Sequence, residues 1–261
     1  MQATTKDDLT LIEHQALGEH IHLLILNRPE RKNALNTALL RQLARHCEAL
    51  VENGARAILI QGKDGHFAAG ADIDEIATLT PKQALLDARV TAWKRLREIP
   101  VPLIAIAEGY CLGGGMELLL TCDFAIAHPD AQFGLPEVKL GLMPGAGGTQ
   151  ILPRTVGTRR AARMIFTGDL FDAKTMHDWG IITDLSDTPA EKALAIAERI
   201  AKNAPFAIRQ AKTSLKQSQE SGLETALKLE RQAFSLLAAT ADRDEGIAAF
   251  RQKRAPQYQG E

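Results

Sequence analysis

Residues Glu108-Gly109-Tyr110-Cys111-Leu112-Gly113-Gly114-Gly115-Met116-Glu117 follow directly on the apolar run Leu103–Ala107. That run comes after Pro100 and Pro102 and reads as a buried strand. Glycines placed after a strand let the chain turn with positive φ and let a ligand approach the backbone closely. A short apolar helix begins near Met116, and Phe124–Ala127 reads as the next strand. A helix start leaves free N–H groups and a partial positive charge, which suits a developing negative oxygen. Glu117 falls in the first turn, either as a plain partner of the helix dipole or as a working carboxylate beside that site.

The same alternation extends upstream. Ile21–Leu26 reads as a buried strand that stops at the turn-forming Asn27-Arg28-Pro29. A helix starting near Asn36 or Thr37 carries Leu39, Leu40, Leu43, Cys47, Leu50 and Val51 on one side, and Gly54 closes it. Ala57–Ile60 is the next strand. Thr80-Pro81-Lys82-Gln83 combines a cap, a first-turn proline and a capping-box glutamine, which predicts a helix running to about Arg97. Strands alternating with helices to about residue 185 make an α/β core.

The last 60 or so residues change character. Pro205 opens one helix, Leu223, Leu227, Phe234 and Leu237 mark a second, and Asp242-x-x-Glu245 predicts a cap for a third. From Ala201 onward ten Lys and Arg stand against seven Asp and Glu. Residues 1–200 are thus expected to form the core, and 201–261 a helical appendage whose apolar faces need a partner.

Composition narrows the function. The 261 residues are 45% hydrophobic and 24% charged with a net charge of -1, so the molecule as a whole has no strong pull on nucleic acid or an anionic membrane. The three cysteines, Cys47, Cys111 and Cys122, do not describe a disulfide framework and suit a reducing compartment. MQATTKDDLT has no signal-peptide character, and the longest apolar run is too short for a bilayer, so a cytoplasmic protein is expected.

Several chemistries drop out. Gly113-x-Gly115 and Gly145-x-Gly147 both lack the third glycine of a dinucleotide fingerprint, and no P-loop occurs. His20-x-His22 could put two imidazoles on one strand face, but no further ligands accompany it, so no metal site is expected. Neither H-E-x-x-H nor G-x-S-x-G is present.

Taken in order, Ala68-Ala69-Gly70-Ala71-Asp72-Ile73, the Glu108–Glu117 stretch, Phe133-Gly134-Leu135-Pro136-Glu137 and Pro144-Gly145-Ala146-Gly147-Gly148-Thr149-Gln150 resemble the crotonase superfamily, enoyl-CoA hydratases in particular. Asn27-Arg28-Pro29-Glu30, Asn33-Ala34-Leu35-Asn36 and the Asp242–Phe250 stretch fit the same pattern, so the resemblance covers nearly the whole chain. It implies a spiral of β-β-α turns followed by helices used in trimer formation, with trimers commonly pairing into hexamers. It also implies a CoA thioester substrate, no metal or redox cofactor, and hydration of a 2-enoyl-CoA to a 3-hydroxyacyl-CoA.

Carried over residue by residue, the resemblance makes Glu117 and Glu137 the catalytic pair. It makes the Ala71 and Gly114 N–H groups the oxyanion hole, with Ala69, Gly70, Asp72 and Ile73 bordering the CoA. Some relatives carry a lysine after the Ala-Gly-Ala-Asp-Ile motif that meets a CoA phosphate. Here Asp74 and Glu75 follow instead, which leaves Arg28, Arg31, Lys32, or Lys253 and Arg254 reaching in from a neighbouring copy of the chain, for that contact. An isomerase or another acyl-CoA enzyme of the same fold stays open as an alternative, as does an RNA-binding role. The chain most resembles hydratases of phenylacetate breakdown, which implies a substrate ending in a second carboxylate. Arg89 and Trp93, four apart on one helix face, are the candidates to line that end of the pocket.

Overall fold

The computed structural model describes residues 10–80, 82–83 and 86–260. Two sheets carry the architecture. The larger orders its strands β1 (Ile12–Ala16), β2 (Ile21–Leu26), β3 (Ala57–Gly62), β4 (Leu103–Ala107), β6 (Phe124–Ala127) and β9 (Asp184–Leu185). Only the β1–β2 pair is antiparallel. The smaller sheet holds β5 (Tyr110–Leu112), β7 (Gln132–Gly134) and β8 (Phe171–Asp172).

A staircase connects them. After each long strand the chain makes a short pairing to one side and then runs through helix before returning to the large sheet. Leu35 bridges Ala71, Ala68 bridges Cys111, and β5 pairs with β7, all in parallel. This is a spiral of β-β-α turns. Parallel neighbours require such crossovers, and the crossovers cover the sheet.

Burial explains why the long strands read as unbroken apolar runs. Alternate residues point to opposite faces, and both faces are covered. Leu24, Leu26, Ile58, Ile60, Leu103 and Ala105 join the main core with α1 (Thr37–Glu52) and α3 (Ala88–Arg97). Leu23, Leu59, Ile104 and Ile106 face the other way, against Ala193 and Ala197 of α8 (Pro189–Ala201). The elements between are α2 (Ile73–Ala77), α4 (Gly114–Thr121), α5 (Gly148–Val156), α6 (Thr158–Thr167) and α7 (Ala173–Asp178). Three helices end the chain: α9 (Pro205–Glu220), α10 (Leu223–Leu237) and α11 (Ala241–Gln252).

Local signals worked as written at α1, where the Asn36 side chain accepts from the Leu39 amide at 2.8 Å. Two expectations need correction. Thr80 and Gln83 do form a capping box, but no single helix continues to Arg97. Asp87 is extended and caps a new helix, accepting from the Arg89 amide at 2.8 Å. Pro81 lies outside the described residues. The cap of α11 is Thr240, not Asp242. Asp242 is buried and instead accepts from the amides of Gln259 and Gly260, which fixes the C-terminal tail.

Candidate active site

Everything at the site depends on where α4 begins. Gly113 has φ 49° and ψ -123°, a conformation that L side chains rarely adopt. Its amide donates to the Gly134 carbonyl at 2.8 Å, tying this turn to β7. As the first helical residue, Gly114 has no acceptor for its N–H within the helix. A Cβ on Gly114 would sit 3.2 Å from the Ala71 nitrogen, so the two backbones are in close contact. The Leu35–Ala71 bridge uses the Gly70 carbonyl and the Asp72 amide, and among the described residues no backbone acceptor takes the Ala71 N–H. Two unspent amides therefore meet at one point.

Glu117 lies three residues further on, about one turn, and is only 3% exposed. Its Oε1 accepts from the Ala146 amide at 2.7 Å and the Gly148 amide at 2.8 Å. Burial pushes its pKa up, against the pull of those amides, of the Gly147 amide and of the Arg97 charge. Glu137 sits in the 3-10 turn Pro136–Leu140 that follows β7. Its Oε1 would lie 3.1 Å from a Cβ on Gly113, and its Oε2 is buried without a partner among the described residues. Burial lifts its pKa to about 7, with the Glu117 charge pushing the same way. The Glu117 charge is felt at Glu137, so the two carboxyl groups titrate as a pair. Two amides able to stabilise an oxyanion, beside two carboxyl groups able to pass a proton, make up a site for acid–base chemistry on a carbonyl compound.

The remaining candidates separate by their partners. Gly70 and Asp72 are buried, Ala69 is half-buried and Ile73 is exposed at the start of α2. Burial raises the Asp72 carboxyl, but the hydrogen bond and charge of Arg28 outweigh it and hold it below the usual range. Arg28 reaches Asp72 at 2.9 Å and the Ala34 carbonyl at 2.6 Å, so it braces the loop and is not a free cation. Arg31 pairs with Asp74, and Arg254 with Glu245. Lys32 is exposed, lies 4.7 Å from the centre of the Tyr110 ring and has its carbonyl bound by the Ala69 amide. Glu75 accepts from both the amide and the hydroxyl of Thr37.

Trp93 is 7% exposed and packs into the main core. Arg89 is held by Asp87, with Nε to Oδ2 at 2.7 Å. His22 faces His14 at 3.1 Å between ring nitrogens. Among the described residues no group of three or more His, Cys, Asp and Glu is placed to hold a metal. The amides of Ala146 and Gly148 escaped the sequence reading because a backbone group leaves only glycine content as its trace. Arg97 escaped it too, although it continues the Arg89–Trp93 face by one more turn.

Comparison with known proteins agrees with the fold. The family model described as enoyl-CoA hydratase/isomerase matches residues 17–261, and the chain belongs to that family. Among individual relatives it is 46% identical over 245 residues to 2,3-dehydroadipyl-CoA hydratase of Escherichia coli (strain K12), covering 93% of this chain and 96% of that one. It is 38% identical to the mitochondrial enoyl-CoA hydratase of Pongo abelii, over 94% of this chain and 85% of that one. Among solved structures, an enoyl-CoA hydratase from Bacillus anthracis superposes with a TM-score of 0.91 at 38% identity, covering 96% of this chain and 100% of that one. An enoyl-CoA hydratase subunit from Geobacillus kaustophilus gives 0.92 at 37% identity, covering 96% and 98%.

Proposed function

We propose that this enzyme adds water reversibly across the 2,3 double bond of an enoyl-CoA, using Glu117 and Glu137 as its acid–base pair. The observation that carries the reading is the pair itself: a buried and a half-buried carboxyl group, both of raised pKa, beside two unspent amides. The Ala71 and Gly114 N–H groups receive the thioester oxygen as water attacks C3 and charge moves onto it. Preorganised donors of this kind contribute roughly 3–4 kcal/mol each. Oε1 of Glu117 is taken up by Ala146 and Gly148, which leaves its other oxygen to hold the water and accept its proton. Glu137, protonated near neutral pH, delivers a proton to C2. The hydroxyl ends on C3, and the two carboxyl groups exchange protonation states. No cofactor enters this scheme.

The CoA moiety would border Ala69–Ile73, with Lys32, which has no carboxylate partner among the described residues, as a cation to meet a phosphate. By its likeness to the Escherichia coli relative, the enzyme is assigned a 2-enoyl substrate ending in a second carboxylate, as in phenylacetate breakdown. Residues 1–200 would form the catalytic core. Residues 201–261 would serve self-association into a trimer or a pair of trimers, supported by the apolar side chains exposed on α10. We place the enzyme in the cytoplasm, in keeping with three free, buried cysteines.

Incubation with crotonyl-CoA tests the reading: the enoyl absorbance should fall as water adds. Glu117→Gln and Glu137→Gln should each lower kcat by at least about 100-fold, with much smaller changes in the binding of a 3-hydroxyacyl-CoA. Double-bond migration without hydration, or wild-type turnover in either variant, would remove the assignment.

A further inference from the structure

The Ala71 amide belongs to a segment with no helix or long strand of its own to hold it. The segment starts on β5, where the Ala68 amide donates to the Tyr110 carbonyl and the Ala68 carbonyl accepts from the Leu112 amide, each at 3.0 Å. From Ala69 to the Asp72 amide, the backbone partners among the described residues all come from the loop ahead of α1. The Lys32 carbonyl accepts from the Ala69 amide at 2.9 Å. Leu35 donates to the Gly70 carbonyl at 2.8 Å and accepts from the Asp72 amide at 3.0 Å. The direction of the Ala71 N–H is therefore set by that loop.

The loop is itself strained. Lys32 and Asn33 are consecutive and left-handed, with φ 47° and 57°, a conformation unusual for residues with a side chain. Such a turn persists only where its surroundings over-determine it. Two side chains do so. Asn33 is fully buried: its Oδ1 accepts from the Arg28 amide at 3.0 Å, and its Nδ2 donates to the Lys63 and His66 carbonyls at 2.8 and 2.7 Å. Arg28 spans the turn, donating from Nη1 to the Ala34 carbonyl at 2.6 Å and from Nη2 to Oδ2 of Asp72 at 2.9 Å. The Arg28 and Asp72 side chains are 12% and 11% exposed, so salt screens the pair little. Oδ1 of Asp72 is engaged separately, accepting from the Asp74 amide to cap α2.

Resting on the oxyanion role given to Ala71 above, we infer that Arg28 is a positioning residue that clamps Ala34 to Asp72 and thereby aims the Ala71 N–H at the thioester oxygen. The Leu35–Ala71 bridge lies between its two contacts, since Leu35 follows Ala34 and Ala71 precedes Asp72. With the clamp gone, the peptide plane that carries the Ala71 N–H is free to rotate. Direction matters steeply at a reacting centre, where a misplacement of about 1 Å can cost on the order of 100-fold. A planar guanidinium suits the task because its fork holds two acceptors at a fixed angle, which a lysine ammonium does not. In this role Arg28 acts through the backbone and need not touch the CoA.

The test reads the amide through a chromophore. Para-dimethylaminocinnamoyl-CoA absorbs at longer wavelength when donors polarise its thioester carbonyl, and wild-type enzyme should shift it to the red. Arg28→Met should lose most of that shift. Its kcat on crotonyl-CoA should fall at least about tenfold with KM little changed, the mark of an interaction made in the transition state. S-butyl-CoA, a thioether without the carbonyl, should bind Arg28→Met as tightly as wild type. Arg28→Lys keeps the charge beside Asp72 but not the fork, so its shift and kcat should fall in between. If Arg28→Met does not fold, Asp72→Asn, which can still cap α2, takes its place with the same readings expected. A full red shift in the variant would show that the amide is set without the clamp and would overturn the inference. Thioether affinity lost in step with turnover would do the same, by making Arg28 a CoA contact. A wild type that binds the probe without any shift would reject the oxyanion role of Ala71, and the inference with it. A wild type that shifts the probe yet does not hydrate crotonyl-CoA would strike the hydratase reading alone.

Discussion

Glu117 and Glu137 are the same residue type placed in two different surroundings. Glu117 is buried but receives backbone donors on one oxygen, whereas Glu137 is lifted to about 7 and keeps one oxygen without a partner among the described residues. A carboxyl group that ionises near neutrality and must act as an acid is active in its protonated form. Raising the pH through about 7 removes that proton, so kcat/KM for hydration should fall on the alkaline side by about tenfold per pH unit at the limit. In Glu137→Gln the residual activity should lose this limb, because the amide cannot titrate. The profile reports the coupled pair, so the midpoint belongs to both groups. A wild-type profile flat from about pH 6 to 9 would mean that Glu137 does not supply the proton.

Among the elements, α3 shows best what the sequence could and could not reveal. Thr80 and Gln83 gave a sound local signal, and the capping box is there. Asp87 overrides it: with φ -58° and ψ 122° it breaks the path to Arg97 and restarts the helix. Its carboxylate is pushed up by burial but pulled below the usual range by hydrogen bonds from the Arg89 side chain and amide. Asp87→Ala should therefore cost about 1 kcal/mol for the lost cap, read from urea unfolding, and Asp87→Asn should cost less. Equal stability of Asp87→Ala and wild type would deny the cap its role. More generally, what leaves a local trace in side-chain type was legible: the buried strands, the Asn36 cap and the glycine turn ahead of Glu117. What depends on distant backbone was not. Nothing in the residues around Glu117 tells that the amides of Ala146 and Gly148 will converge on it. The spacing put Arg89 and Trp93 on one side of α3, yet it could not tell that Trp93 would pack into the core or that Asp87 would hold Arg89.

At the scale of the whole molecule, the helices that end the chain are attached to the core but do not bury themselves in it. Lys212 pins α9 to Asp123, and Arg56 reaches the carbonyls of Ala201 and Tyr258 at 2.9 Å each. Neither α9 nor α10 contains a buried residue. Leu223, Leu227 and Leu236 of α10 are exposed, and so is Phe234, at 60%. Apolar side chains of this size gain roughly 1.5–3 kcal/mol each when buried, so several on one helix form a surface that a second copy of the chain can cover. Light scattering of the intact protein should give a mass three times that of the chain, or a multiple of it. Replacing Leu227 and Phe234 together by Glu should shift the mass toward smaller species, since two carboxylates cannot be buried there without partners. These changes lie on α10, away from the α4 turn, so residual hydration by the smaller species would show how far the site depends on assembly. A wild-type protein that is monomeric at every concentration examined would refute self-association through these helices.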